Sequence, residues 1–115
     1  MDERSAMGLI ERAHAETSRR ASALARQWDE IVAASEFTSG DDEHDPEGAT
    51  IAFERAQVQA LLRHAQDELV ALGHAAERVH AGVYGTCERC GGPISEGRLA
   101  ALPATRTCIA CANRM

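Results

Sequence analysis

The sequence predicts a mainly α fold: a long antiparallel coiled-coil hairpin with a small four-cysteine unit at the end holding both termini. Three observations predict it. Two long stretches without internal proline, rich in Ala, Glu, Arg, Gln and Leu, carry a seam of residues at alternating spacings of three and four. A stretch rich in Gly, Asp and Glu, residues 38–48, separates them. All four cysteines of the 115-residue chain fall in its last third, in two CxxC pairs with seventeen residues between them.

The first helix is expected from Asp2 to about Glu36, where Gly8 is the only glycine. Its seam reads Met7, Ile10, His14, Thr17, Ala21, Leu24, Trp28, Ile31 and Ser35, a heptad pattern over four repeats. At about 1.5 Å per residue such a helix is about 50 Å long. Gly40 can take the left-handed position that ends it. Asp45-Pro46-Glu47 then forms a strong helix start, with Asp as N-cap and Pro in the first turn. The second helix is expected to reach Ala81 or Gly82, with Ile51, Arg55, Val58, Leu62, Ala65, Leu69, Leu72, Ala76, Val79 and Val83 along its seam. Facing residues of an antiparallel hairpin have numbers with a constant sum. Met7 with Val79, Thr17 with Leu69, Ala21 with Ala65 and Trp28 with Val58 all sum to 86. One register thus pairs both helices, and a single chain, a monomer, satisfies both seams. Trp28 and Phe53 are expected to thicken the seam towards the loop.

A CxxC turn aims two sulfurs at one point, and Cys87, Cys90, Cys108 and Cys111 together supply the four thiolates of a closed tetrahedral Zn²⁺ site. Gly91 and Gly92 suit the tight knuckle after Cys90. A redox CxxC would need no second copy, and disulfides would call for a secretory leader, which Met1-Asp-Glu-Arg does not resemble. A closed four-thiolate site has no open coordination position, so one structural zinc and no enzyme chemistry is the expectation. Ile94, Leu99 and Leu102 are the apolar residues available to pack around it. The expected division is 1–83 for the hairpin, with an acidic tip at 38–48, and 84–115 for the zinc finger.

Charge separates the function classes. The formal net charge is −6, and residues 41–50 alone carry five acids and no base. An acidic chain without lysine is a poor ligand for nucleic acid phosphates, so direct sequence-specific DNA binding is not expected. No run is apolar and long enough for a membrane span, and a cytoplasmic setting follows as the expectation.

Val83-Tyr-Gly-Thr-Cys-Glu-Arg-Cys-Gly-Gly-Pro-Ile, Arg98-Leu-Ala-Ala-Leu-Pro103 and Cys108-Ile-Ala-Cys111 closely resemble the DksA/TraR C4-type zinc-finger family of bacteria. The resemblance implies a regulator of transcription that binds RNA polymerase rather than DNA. Its hairpin would enter the enzyme's secondary channel and direct an acidic tip towards the catalytic Mg²⁺ region. Asp42, Asp45, Glu47 and Ala49 are the tip candidates. Against the family's DxxDxA motif, Ala49 aligns with the alanine when Glu47 takes the second acid and His44 the first. Reading from Asp42 and Asp45 keeps both acids and loses the alanine. Arg98, at the zinc end, is a further candidate partner contact. Relative to longer members, most of a C-terminal helix and an N-terminal extension are expected to be missing, which weakens the expectation of a response to guanosine tetraphosphate. The alternative from a different class is a non-catalytic adaptor, a zinc ribbon with a coiled coil that binds another protein and an inert tip.

Overall fold

A computed structural model describes residues 1–36 and 46–114, without the side chains of Pro46 and Glu47. Four helices follow in order: α1 (Glu3–Ser35), α2 (Pro46–His80), α3 (Glu96–Ala101) and α4 (Ile109–Ala112). Among the described residues there is no strand, only an isolated antiparallel bridge between Thr86 and Pro93. The fold is therefore mainly α, and the two long helices pack as the expected hairpin.

Local chemistry sets the helix ends. Asp2 caps α1: the Ser5 N–H donates to Asp2 Oδ1 at 2.7 Å, and this bond holds the Asp2 carboxyl below its usual range. At the other end of the hairpin's path, Gly82 adopts φ +76°, which a residue with a Cβ resists. The Gly82 N–H donates to the Val79 carbonyl and the Val83 N–H to the Arg78 carbonyl, each at 3.0 Å. That pair of bonds is a Schellman motif, and it turns the chain out of α2 into the cysteine-bearing segment.

The chain forms two compact units, Met1–Thr17 with Glu68–Met115, and Ser18–Asp67. In the first, Ala6 and Ile10 of α1 share one buried cluster with Leu72, Ala75 and Val79 of α2 and with Tyr84, Cys87, Ile94, Leu99 and Cys111. Burying a side chain such as Leu72 contributes about 2 kcal/mol. Glu3 Oε1 meets His80 Nδ1 at 3.2 Å, so the start of α1 lies beside the end of α2. In the second unit Val58 and Ala65 are buried, Ala21, Leu24 and Trp28 are half-buried, and the Arg55 guanidinium lies 5.4 Å from the centre of the Trp28 ring. The helices run antiparallel in each unit.

The seam departs from strict heptads near its base. Ala6 rather than Met7, Ala13 rather than His14, and Ala75 rather than Ala76 are the more buried residues there, and His14 is exposed. Counting by sevens imposes 3.5 residues per turn, while a straight helix keeps 3.6, so the buried stripe drifts by one residue over several turns. Arg55 and Val83 leave the seam as well. Arg55 reaches over Trp28, and Val83 follows the Gly82 turn, beyond the helix that would have pointed it inward. Phe53 is 70% exposed and does not thicken the seam.

Ala21 and Ala65 remain seam residues within one unit. Cysteines at these two positions, with zinc bound to occupy the native thiols, are expected to join within one chain under mild oxidation. Intermolecular products alone, seen on a non-reducing gel, would show that the two helices pair between chains.

Candidate metal centre

Two short turns build the centre. In the first, the Cys87 N–H donates to the Gly92 carbonyl at 2.8 Å and the Gly91 N–H to the Cys87 carbonyl at 2.9 Å. Gly91 takes φ +73°, and the Gly92 N–H donates to Cys90 Sγ at 3.3 Å. A Cβ on Gly92 would stand only 3.3 Å from that sulfur, so glycine is what lets the backbone approach it. In the second turn α4 begins directly after Cys108 and carries Cys111 on its buried side. The Glu88 N–H donates to the Arg106 carbonyl at 2.9 Å and ties the two turns together.

This arrangement brings the sulfurs of Cys87, Cys90, Cys108 and Cys111 within 4.8 Å of one another, with Cys90 and Cys108 3.8 Å apart. Four sulfurs about 2.3 Å from a zinc ion form a tetrahedron with edges of about 3.8 Å. The donor set thus fits one Zn²⁺, the cofactor of this module, and the four thiols are unbridged by disulfides. Cys87 and Cys111 are buried and Cys90 is exposed. With four thiolates, zinc would have a filled coordination shell, and its contribution is to hold the two turns together.

Four thiols cannot ionise side by side without a cation. Hydrogen bonds from the backbone of Cys108 and Cys90 bring Cys87 down to about 6, and the backbone of Cys111 lowers Cys108. The neighbouring Cys108 and burial push Cys111 up to about 12. At neutral pH zinc must therefore displace at least the Cys111 proton, and acidification returns protons to the competing thiolates. Zinc affinity is expected to fall as pH falls, by about tenfold for each pH unit and displaced proton. Competition against a chelator of known affinity from pH 8 to pH 6 measures this, and a flat profile would contradict it.

Residues that sequence reasoning passed over bind the centre to the hairpin. Arg78, in the last turn of α2, donates from Nη2 to the carbonyls of Thr86 at 2.8 Å and Val83 at 3.2 Å. Its Nη1 lies 3.1 Å from Glu88 Oε1. The Tyr84 hydroxyl donates to the Pro103 carbonyl at 2.8 Å, and its ring is buried. Arg106 donates to His74 Nδ1 at 2.7 Å. The signal for Arg78 was a cation in the last turn of a helix ended by glycine, a place where arginines commonly find carbonyls.

Of the expected packing residues, Ile94 and Leu99 are buried, but Leu102 is 51% exposed. Leu102 ends α3 with its N–H on the Arg98 carbonyl, while Tyr84 is buried and its hydroxyl reaches the Pro103 carbonyl. Arg98 is half-buried and donates from Nε to the Thr107 carbonyl at 2.8 Å, bracing the loop that leads to Cys108. Ala49 is exposed near the start of α2. Asp42 and Asp45, together with the side chain of Glu47, lie outside the described residues.

Residues 82–115 match the model of the prokaryotic dksA/traR C4-type zinc finger. A protein of Aquifex aeolicus described as uncharacterized is 48% identical over 44 residues, 38% of this chain and 30% of that protein. The uncharacterized protein YlyA of Bacillus subtilis is 36% identical over 56 residues, 49% of this chain and 45% of YlyA. The matched segments thus span less than half the length of either curated relative. Among solved structures, transcription factor DksA2 from Pseudomonas aeruginosa superposes with a TM-score of 0.79 at 24% identity, over 97% of this chain and 81% of DksA2. The DnaK suppressor protein of Agrobacterium tumefaciens is 32% identical over 92% of this chain and 93% of that one, with a TM-score of 0.46, so the fold comparison rests on DksA2. Residues 82–115 belong to the prokaryotic dksA/traR C4-type zinc-finger family, and the chain that carries them has the DksA2 fold.

Proposed function

We propose that this chain is a non-catalytic bacterial regulator of transcription that binds RNA polymerase through its secondary channel. The observation that carries the reading is the position of the acidic stretch. Residues 41–50 hold five acids and no base, and they run from the segment after α1 into the first turn of α2, in a fold shared with a transcription factor. In that role Asp42, Asp45, Glu47 and Ala49 approach the Mg²⁺ region of the polymerase, where carboxylates feel the ion's field strongly. Cys87, Cys90, Cys108 and Cys111 hold the zinc, and Arg98 adds a contact at the zinc end. The hairpin, 1–83, supplies the reach, and the finger, 84–115, closes the end from which it extends. Direct sequence-specific DNA contact has no part in this reading, a response to guanosine tetraphosphate is not expected, and the setting is the cytoplasm as a monomer.

Immobilised chain incubated with purified core RNA polymerase tests the proposal. Retention of the polymerase, lost on adding a protein known to occupy the secondary channel, supports it. Retention that such a competitor leaves unchanged, or no retention, favours the adaptor reading.

A further inference from the structure

A groove of about 460 Å³ lies between the first turns of α1 and Ala100 of α3, lined by Arg4, Ser5, Gly8, Leu9 and Arg12. All of it belongs to one compact unit. Arg4 and Arg12 both line it, eight residues and about 12 Å apart along the axis of α1. Both are exposed, and among the described residues neither has an ion pair or hydrogen bond. The two acids just ahead of Arg4 are engaged elsewhere, Glu3 by His80 Nδ1 at 3.2 Å and Asp2 by the Ser5 N–H. What sets this pair apart from other exposed arginines of the chain is that both line one groove together with Leu9 and Ala100.

Gly8 lies between them. Glycine is the weakest helix former after proline, yet it occupies an interior position of α1. A Cβ there would meet Arg12 Nη1 at 3.3 Å. The missing side chain leaves room for the Arg12 guanidinium to lie back along the helix over Gly8.

We infer that this groove is a docking site for an acidic peptide segment of a protein partner, distinct from the acidic stretch between the long helices. The paired guanidiniums take carboxylates, and the Leu9 and Ala100 floor takes an apolar side chain between them. A small inorganic anion would use the cations and leave that floor uncovered. In an extended peptide, acids four residues apart lie about 13 Å apart on one face, close to the roughly 12 Å between the two arginines along α1, with the residue midway between them on the same face.

The test is titration of the zinc-loaded full chain with a blocked peptide of sequence Glu-Ser-Leu-Ser-Glu, whose two acids and leucine share one face when extended, followed by NMR of the arginine side chains and backbone amides. Shifts are expected together at Arg4, Arg12, Leu9 and Ala100, with a dissociation constant on the order of 1 mM. Arg4→Gln and Arg12→Gln should each weaken binding by about fivefold or more. Gly8→Ala should raise the melting temperature while weakening the peptide, because the helix gains and Arg12 is displaced. Shifts at Arg19 and Arg20 as large as those at Arg4 and Arg12 would overturn the site, as would no shift at all. Tripolyphosphate binding as tightly as the peptide would replace the peptide with a phosphate ligand and overturn the assignment. None of these outcomes depends on polymerase binding.

Discussion

Cys87→Ser, or removal of zinc by a chelator, is expected to unfold residues 84–114 and to loosen the helix ends that pack on them. Cys87 is 1% exposed and sits in the same cluster as Ile94, Leu99 and Tyr84 on one side and Ala6, Leu72 and Val79 on the other. Burial of a few such side chains contributes about 2 kcal/mol each. A structural zinc contributes about 10 kcal/mol or more to the fold of a finger of this size. Loss of one thiolate therefore removes the largest single stabilising interaction in the module. Amide exchange should accelerate across 84–114 and, less strongly, in 3–17 and 68–80, whose buried residues lose their neighbours. Residues 18–35 and 51–67 pack on each other around Val58 and Ala65 and should keep most of their protection. Native mass spectrometry should find one zinc per chain before the change and none after. Unaltered exchange in the zinc-free protein would show that the metal is dispensable.

Much of this was legible in the sequence because it depends on spacing. Two CxxC pairs place four sulfurs together whatever surrounds them, and the sulfurs do meet. Alternating steps of three and four along two uninterrupted stretches produce two helices that bury one face against each other. What spacing could not show is where the seam drifts and which groups close the finger. Ala6 and Ala75 displace Met7 and Ala76 because helical pitch, rather than the heptad, governs a straight helix near its base. The Arg78 and Tyr84 hydrogen bonds run to carbonyls of Thr86 and Pro103, and backbone carbonyls have no residue type by which a sequence reveals them. Leu102 and Val83 look like core by composition, but Leu102 caps the end of α3 and Val83 follows the Gly82 turn, and both are exposed. The Asp2 cap has a readable signal, an acid just ahead of the first helical residue.

The second large effect is expected from charge at the tip. Replacing Asp42, Asp45 and Glu47 together by Asn, Asn and Gln should reduce the effect on transcription about tenfold or more, while polymerase binding changes by less than about threefold. The replacements keep nearly the same volume, and Asn remains a good N-cap at position 45. What they remove is three of the five negative charges in 41–50, the charges proposed to act near the polymerase's metal ion. Controls need acids without a structural task. Asp2 caps α1 and Glu3 pairs with His80, so Glu11, Glu16 and Asp67, all exposed, serve better. Transcription in vitro from responsive promoters, read beside a binding assay, separates the outcomes. Equal regulation by tip and control variants would leave the acidic stretch without a role in regulation.

The most direct measurement of the central proposal places a photo-crosslinking amino acid at Ala49, exposed near the start of α2, and irradiates the chain with core RNA polymerase. The prediction is a cross-link to the polymerase subunit that carries the catalytic Mg²⁺, mapped by mass spectrometry to the wall of the secondary channel and abolished by a channel competitor. The same probe at exposed Glu77, near the other end of α2, should mark the outer rim or nothing. Cross-links from Ala49 to the outer surface of the polymerase, or none in a complex that still forms, would contradict insertion of the hairpin.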